Sequence, residues 1–233
     1  MQINVFIITG SRKGIGRYLA EYYCQKGFKV IGLSRQESDF SSENYEHFCV
    51  DIGDEKQVKN VFGVIRNKYG RVDVLINNAA INPSISHFVL IPTQIIKETY
   101  NTNVFGMMNV SREGIKMMLK HKYGRIINIS SMAVKHEIIG ETIYTTTKAA
   151  INSFTRILAK EIIKNGITCN AVAPTAIPTE LSQKIDQKAL NEVLSRNAIN
   201  EYGKMEDISN TIDWLIKSES QAITGQVIYL GGA

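Results

Sequence analysis

Short apolar runs alternate with longer amphipathic stretches along this whole chain, and that alternation leaves few folds open. Residues 3–8, 30–33, 48–50, 74–76, 126–129, 168–172 and 226–230 are short and rich in apolar and β-branched side chains. They lack the strict in–out alternation of a half-exposed strand, so they suit strands covered on both faces. Between them lie helical patterns. Val58, Val61, Phe62 and Ile65 fall at i, i+3, i+4 and i+7, one apolar stripe. Ile208, Ile212 and Leu215 repeat that face near the C-terminus, and Asp54, Glu206 and Asp207 stand where acidic residues favour helix starts. The pattern predicts an α/β fold: a Rossmann-type, doubly wound parallel sheet of about seven strands with helices on both faces. No linker-like stretch or internal repeat interrupts it, so residues 1–233 read as one domain.

Composition narrows the partners. The net charge of +5 is modest, and its one loose basic group, Arg112, Lys116, Lys120, Lys122 and Arg125, reads as a solvated helix face. No nucleic-acid-binding motif accompanies it, and no run approaches the ~18 apolar residues of a membrane span. Cys24, Cys49 and Cys169 are widely spaced, which fits buried thiols in a reducing compartment. Histidines 47, 87, 121 and 136 show no metal-ligand spacing, so no metal is expected. With no cationic leader and cleavage site at the N-terminus, a cytoplasmic location is expected.

The first apolar run leads directly into Thr9-Gly10-Ser11-Arg12-Lys13-Gly14-Ile15-Gly16, followed by a helical stretch to Lys26. Glycines here permit a tight strand-to-helix turn and let backbone approach a pyrophosphate at the positive helix end. The spacing is GxxxGxG, unlike the GxGxxG of the usual dinucleotide fingerprint. A site for NAD places a carboxylate at the end of the second strand, on the ribose hydroxyls. Here that strand ends in Ser34-Arg35, where a guanidinium can pair with a 2′-phosphate and Arg12 or Lys13 can add a second cation. Glu37 and Asp39 follow closely as competing ribose ligands. The charge logic favours NADP(H) over NAD(H).

Tyr144 and Lys148 lie four residues apart on a helical stretch, so their side chains face the same way, one turn apart. A nearby ammonium is expected to lower the phenol pKa from about 10 and make it a usable proton donor and acceptor. Lys148 keeps donors for a nicotinamide ribose. Ser131 follows the run 126–129 at a strand's carboxyl end, the edge where ligand chemistry occurs in open α/β sheets. Its hydroxyl can hydrogen-bond a substrate oxygen, with Ser130 as its rival.

Together these segments resemble the short-chain dehydrogenase/reductase family from Val5 to Gly232. Residues 9–16 are similar to the family's TGxxxGxG turn, and Asn77-Asn78-Ala79-Ala80 to its NNAG element. Asn103, Ser131, Tyr144 and Lys148 match its catalytic tetrad in order, the thirteen-residue gap before Tyr144 selecting Ser131 over Ser130. Asn170-Ala171-Val172-Ala173-Pro174 resembles the stretch bordering the nicotinamide. The resemblance implies that Asn103 holds a water relaying protons from Lys148; by itself it reads as a buried amide satisfying backbone. It implies that Asp51 contacts the adenine, against a plain helix-start role beside Asp54. Ile52, Asn77 and Ala79 join the cofactor wall, and Pro174, Ile177 and Thr179 approach the carboxamide end. Ala80 and Thr175 stand where the family usually has glycine.

Within the family the pattern is most similar to 3-oxoacyl-(acyl-carrier-protein) reductases, through residues 122–125, 166–168 and 223–226. Such reductases present two arginines to an acidic acyl carrier protein. Lys122 and Asn165 occupy those positions here, with Lys164 alongside, a weaker anion site. Residues 180–202, bearing Leu181, Ile185, Leu190, Val193 and Leu194, read as a substrate loop closing over the cofactor, or as ordinary packing. The resemblance also implies a homotetramer or homodimer, with no tail beyond Gly232 and Ala233 to mediate it. The expected activity is NADPH-dependent reduction of a ketone to a secondary alcohol, a 3-oxoacyl thioester being the substrate of the resemblance. A dehydrogenase of sugars, polyols or other secondary alcohols and a non-catalytic NADP-binding regulator are the alternatives.

Overall fold

The computed structural model describes residues 5–178 and 194–232. Its sheet contains β1 (Val5–Thr9), β2 (Lys29–Ser34), β3 (Tyr45–Cys49), β4 (Val74–Asn77), β5 (Gly124–Ile129), β6 (Ile167–Ala173) and β7 (Val227–Tyr229). The spatial order is β3-β2-β1-β4-β5-β6-β7, and every pairing is parallel. That is the doubly wound order expected from the sequence, with its switch point between β1 and β4. The helices are α1 (Gly14–Gln25), α2 (Glu55–Tyr69), α3 (Thr93–Tyr100), α4 (Met107–His121), the short α5 (Ala133–His136), α6 (Thr142–Ile162) and α7 (Met205–Ile216).

Alternate strand residues point to opposite faces, and each face has its own core. Ile7, Ile31, Leu75, Ile126 and Cys169 pack under α2, α4 and α6 through Phe62, Ile65, Val110, Met117, Met118 and Leu158. Phe6, Ile8, Val30, Ile127 and Val172 pack under α1 and α7 through Leu19, Tyr23, Ile208, Ile212 and Leu215. Burial on both sides is why the central runs read as continuous apolar segments. Helix α2 starts where its acidic residue predicts: Asp54 accepts from the backbone N–H groups of Lys56 (2.8 Å) and Gln57 (3.1 Å). The backbone of Ala198 donates to Gly232 O and that of Ile199 to Gly231 O, each at 2.9 Å, which ties the segment after residue 193 to the C-terminus.

Three local expectations need correction. Strand β3 runs from Tyr45 to Cys49, not from 48 to 50, because Glu46 and His47 form part of a sheet-edge strand that apolarity alone does not mark. Arg125, read with a solvated helix face, lies on β5 and is 1% exposed. Its guanidinium donates to Gly124 O (2.8 Å) and Gly166 O (3.3 Å) and lies over the Tyr123 ring. Finally, Cys24 and Cys169 are buried, but Cys49, at the end of that edge strand, is exposed. No described helix is long and apolar enough to cross a membrane. Of the predicted substrate loop, residues 180–193 lie outside the described residues, as does Thr179.

Candidate active site

The carboxyl ends of β1 and β4 are stitched together by Thr9, the last residue of β1, and Asn78, the first residue after β4. Thr9 Oγ1 accepts from the backbone of Asn78 and Ala79, both at 3.0 Å, and Asn78 Nδ2 donates to Thr9 O at 2.9 Å. This contact forces two glycines. Gly10 has φ +68°, and a Cβ there would lie 2.9 Å from Ala79 Cα. A Cβ at Gly16 would lie 2.3 Å from Gly10 O, because the first turn of α1 rests on the loop. The result is a turn whose outer backbone is uncovered at a helix N-terminus, an arrangement that receives anions.

From that turn a cleft of about 690 Å³ runs along the carboxyl ends of the strands. Gly10, Arg12, Lys13, Gly14 and Ile15 line it after β1, and Ser34 and Arg35 after β2. Asp51, Ile52 and Ala79 continue the wall, and Ser131, Tyr144, Lys148, Pro174 and Ile177 close it. Four other candidate residues sit behind that wall. Ser11 is buried and accepts from Tyr45 OH at 3.0 Å. Gly16 packs on the turn. Asn77 donates to Ser111 Oγ (2.9 Å) and Asn128 Oδ1 (2.8 Å), inside a polar ladder between β4 and β5. Asn103 lies in a π-helical turn, Asn101–Gly106, a distortion common at functional sites. Its amide is engaged with the backbone of Ile81, as acceptor at 2.8 Å and donor at 2.9 Å, and also donates to Thr147 Oγ1 at 3.1 Å.

The carboxylates near β2 are turned to other work. Asp39 pairs with Arg17 at 2.5 Å, and Glu37 faces His47; neither lines the cleft. Asp51 accepts from Gly53 N at 2.9 Å in a tight turn and lines the cleft, while Asp54 does the helix capping.

Helix α6 brings Tyr144 and Lys148 to the cleft one turn apart, and Ser131 faces the phenol from the end of β5. Ser131 Oγ is oriented by a hydrogen bond from Ala133 N at 3.1 Å. Lys148 is buried, its ammonium donating to Ile129 O at 2.8 Å and lying 5.5 Å from the Tyr144 ring centroid. Burial dominates both groups. Desolvation pushes Tyr144 up to about 12; the Ser131 hydrogen bond opposes this and the Glu141 carboxylate adds to it. Desolvation likewise pushes Lys148 down to about 8. The expected lowering of the phenol by its lysine is therefore outweighed by burial, and the ammonium donates to a strand carbonyl.

A family model described as short chain dehydrogenase matches residues 4–190. The chain belongs to the short-chain dehydrogenase family. It is 33% identical over 243 residues to the 3-oxoacyl-(acyl-carrier-protein) reductase FabG of Thermotoga maritima, covering 98% of this chain and 96% of that protein. Among solved structures, ElxO with NADP bound matches with TM-score 0.88 and 33% identity, covering 99% of this chain and 97% of that one. The aldohexose dehydrogenase AldT of Thermoplasma acidophilum, in ligand-free form, matches with TM-score 0.87 and 29% identity, covering 99% and 94%. The chain is thus an oxidoreductase of the family's CH–OH/C=O class.

This short-chain dehydrogenase also lines its cleft with polar groups that sequence spacing did not single out: Asn82, His136 and Glu141. Glu141 is buried, and desolvation raises its carboxyl against a hydrogen bond from Asn82. Nothing in the chain order marks these residues, because they come from the segment after β4, the end of α5 and the start of α6 rather than from a strand end. Thr175 turns its hydroxyl to Asn197, whose Nδ2 donates at 2.7 Å. The extra side chain at the usual glycine position thus anchors the segment after residue 193.

Proposed function

We propose that this short-chain dehydrogenase is an NADPH-dependent ketoreductase in which Tyr144 gives the proton as a substrate ketone becomes a secondary alcohol. One observation carries the reading: a single cleft holds Tyr144 with Ser131 facing it, a buried Lys148, and the cations Arg12, Lys13 and Arg35. The residues fit NADP(H). Uncovered glycine backbone with Arg12 and Lys13 would hold the pyrophosphate, and Arg35, beside Ser34 at the cleft wall, the 2′-phosphate. Asp51 and Ile52 would border the adenine, and Pro174 and Ile177 the carboxamide. Asp39 and Glu37 face Arg17 and His47 and do not line the cleft that would receive that phosphate.

When bound, the cofactor supplies the hydride. The chain's own part is to hold the carbonyl oxygen and move a proton. Ser131, oriented by Ala133 N, donates to that oxygen and stabilises its growing charge. Tyr144, with a pKa near 12 before ligands enter, is protonated at neutral pH and so poised as the acid. Lys148 has donors beyond Ile129 O for the ribose and for stabilising the phenolate once the proton has left.

For the substrate we favour a 3-oxoacyl thioester, on the similarity to the Thermotoga maritima reductase. A polar alcohol or sugar is the second reading, favoured by Asn82, His136 and Glu141 in the cleft. Delivery by a carrier protein has weak support. Lys122 and Asn165 precede the amino ends of β5 and β6, opposite the cleft, so a carrier held there faces the wrong end of its own subunit's sheet. We further read the protein as cytoplasmic, from its free thiols, and as a homotetramer or homodimer.

The test offers purified protein and NADPH acetoacetyl thioesters alongside carbohydrate ketones. Turnover of the thioesters is expected. Turnover confined to carbohydrates moves the assignment to the second reading, and bound NADPH without any turnover makes the chain a non-catalytic NADP-binding protein.

A further inference from the structure

Outside the cleft, the edge of the sheet gathers three dissimilar donors. His47 and Cys49 are two residues apart on β3, so their side chains project from the same face. Glu37, in the β2–β3 connection, returns beside them. One ligand atom from each, a carboxylate oxygen, an imidazole nitrogen and Sγ, lie within 4.8 Å of one another.

The histidine makes this more than a surface coincidence. Its side chain is only 8% exposed, and its Nδ1 is buried without a hydrogen-bond partner, 3.7 Å from Glu37 Oε2. The other ring nitrogen fixes the tautomer. Ser34 donates its hydroxyl proton to Gln36 O (2.9 Å) and lies 2.7 Å from His47 Nε2. With the Ser34 proton on Gln36 O, Nε2 carries the ring hydrogen and donates to Ser34 Oγ. In the neutral ring Nδ1 is then a bare lone pair, aimed at a carboxylate and a sulfur. Two lone-pair donors each about 2 Å from a shared tetrahedral ion stand about 3.3 Å apart, so the 3.7 Å between Nδ1 and Oε2 needs only a few tenths of an ångström of closure, which the exposed Glu37 side chain can supply.

We propose that Glu37, His47 and Cys49 bind a zinc ion, with water completing the tetrahedron. The mixed O, N and S set selects a borderline-soft divalent cation over Mg²⁺ or Ca²⁺, which take oxygen ligands. Binding forms three bonds from protein to metal, and the Cys49 thiol proton leaves to solvent. The hydrogen bond from Nε2 to Ser34 is the outer support that orients a ligating histidine. Sequence spacing hid the site, because positions 37, 47 and 49 match no metal motif until β2 and β3 pair.

Metal-stripped full-length protein titrated with Co²⁺ alone tests this. The expected result is one equivalent bound with a thiolate-to-cobalt charge-transfer absorption, displaced by Zn²⁺. Cys49→Ser should abolish that absorption; Cys24 and Cys169, both buried, cannot replace it. Glu37→Gln and His47→Gln should each weaken Zn²⁺ by about tenfold or more, measured by competition with a chromophoric chelator. Circular dichroism of each variant separates lost binding from lost fold. Absence of the charge-transfer band in wild-type protein, its persistence in folded Cys49→Ser, or unchanged affinity in folded His47→Gln overturns the proposal.

Discussion

Lys148 illustrates how far a residue pair can be read from spacing. Four positions on a helix do put Tyr144 and Lys148 on one side of α6, and both line the cleft. What spacing cannot give is the second partner of the ammonium, the strand carbonyl of Ile129. The same lesson separates residues that face the cleft from those that build it. Arg35 and Gly10 are lining residues, whereas Ser11, Asn77 and Asn103 are tied into the wall behind; a sequence motif contains both kinds. Two measurements belong at this scale. Burial holds Lys148 near 8 against an ordinary 10.5, so it is charged below about pH 8 and neutral above. In the unfolded chain the proton stays until about 10.5, so this residue makes folding stability rise with pH across that window and contributes no slope below it. An NMR titration of labelled lysine in cofactor-free protein should show one resonance with a midpoint near 8, missing in Lys148→Met; a midpoint near 10.5 would contradict the burial argument. At the other end of the cleft, Arg35→Ala should weaken NADPH by about tenfold or more and leave NADH nearly unchanged, since a charge-assisted hydrogen bond is worth roughly 1.5–3 kcal/mol. Equal losses for both cofactors would show that Arg35 does not read the 2′-phosphate.

Elements were legible wherever both faces of a strand are covered. β1, β4, β5 and β6 fall on their apolar runs, and α2 and α7 on their stripes, because the same burial that makes the pattern also makes the core. β3 was legible only at its carboxyl end. At the rim of the sheet, Glu46 bonds Lys68 at 2.7 Å and His47 contacts Ser34, so polar residues serve the strand without leaving an apolar trace. Helix starts were legible where a carboxylate caps them. Asp54 satisfies two otherwise unpaired N–H groups of α2. Asp54→Ala should therefore lower stability by about 1 kcal/mol, read as a shift of the urea midpoint at constant slope. A change within about 0.3 kcal/mol of zero would mean water replaces the cap without loss.

At the scale of the molecule, two cores on either side of one sheet account for the fold, and the surface left over bears on assembly. Phe105 (55%), Leu119 (40%) and Ile157 (58%) are exposed in the π-helical turn, α4 and α6, elements on the same side of the sheet. Single exposed apolar residues are ordinary. Three large ones on the π-helical turn and on the helices that flank it are better explained by a partner that covers them. A second copy supplies the same apolar surface by symmetry, as a closed homo-oligomer requires. Light scattering should then give a mass two or four times that of the 26.1 kDa chain. Ile157→Glu, which puts a charge on that surface without touching the core, should shift the mass toward a single chain while circular dichroism stays unchanged. A wild-type mass of one chain at working concentration would remove the oligomer, and an unshifted variant mass would move the interface away from α6.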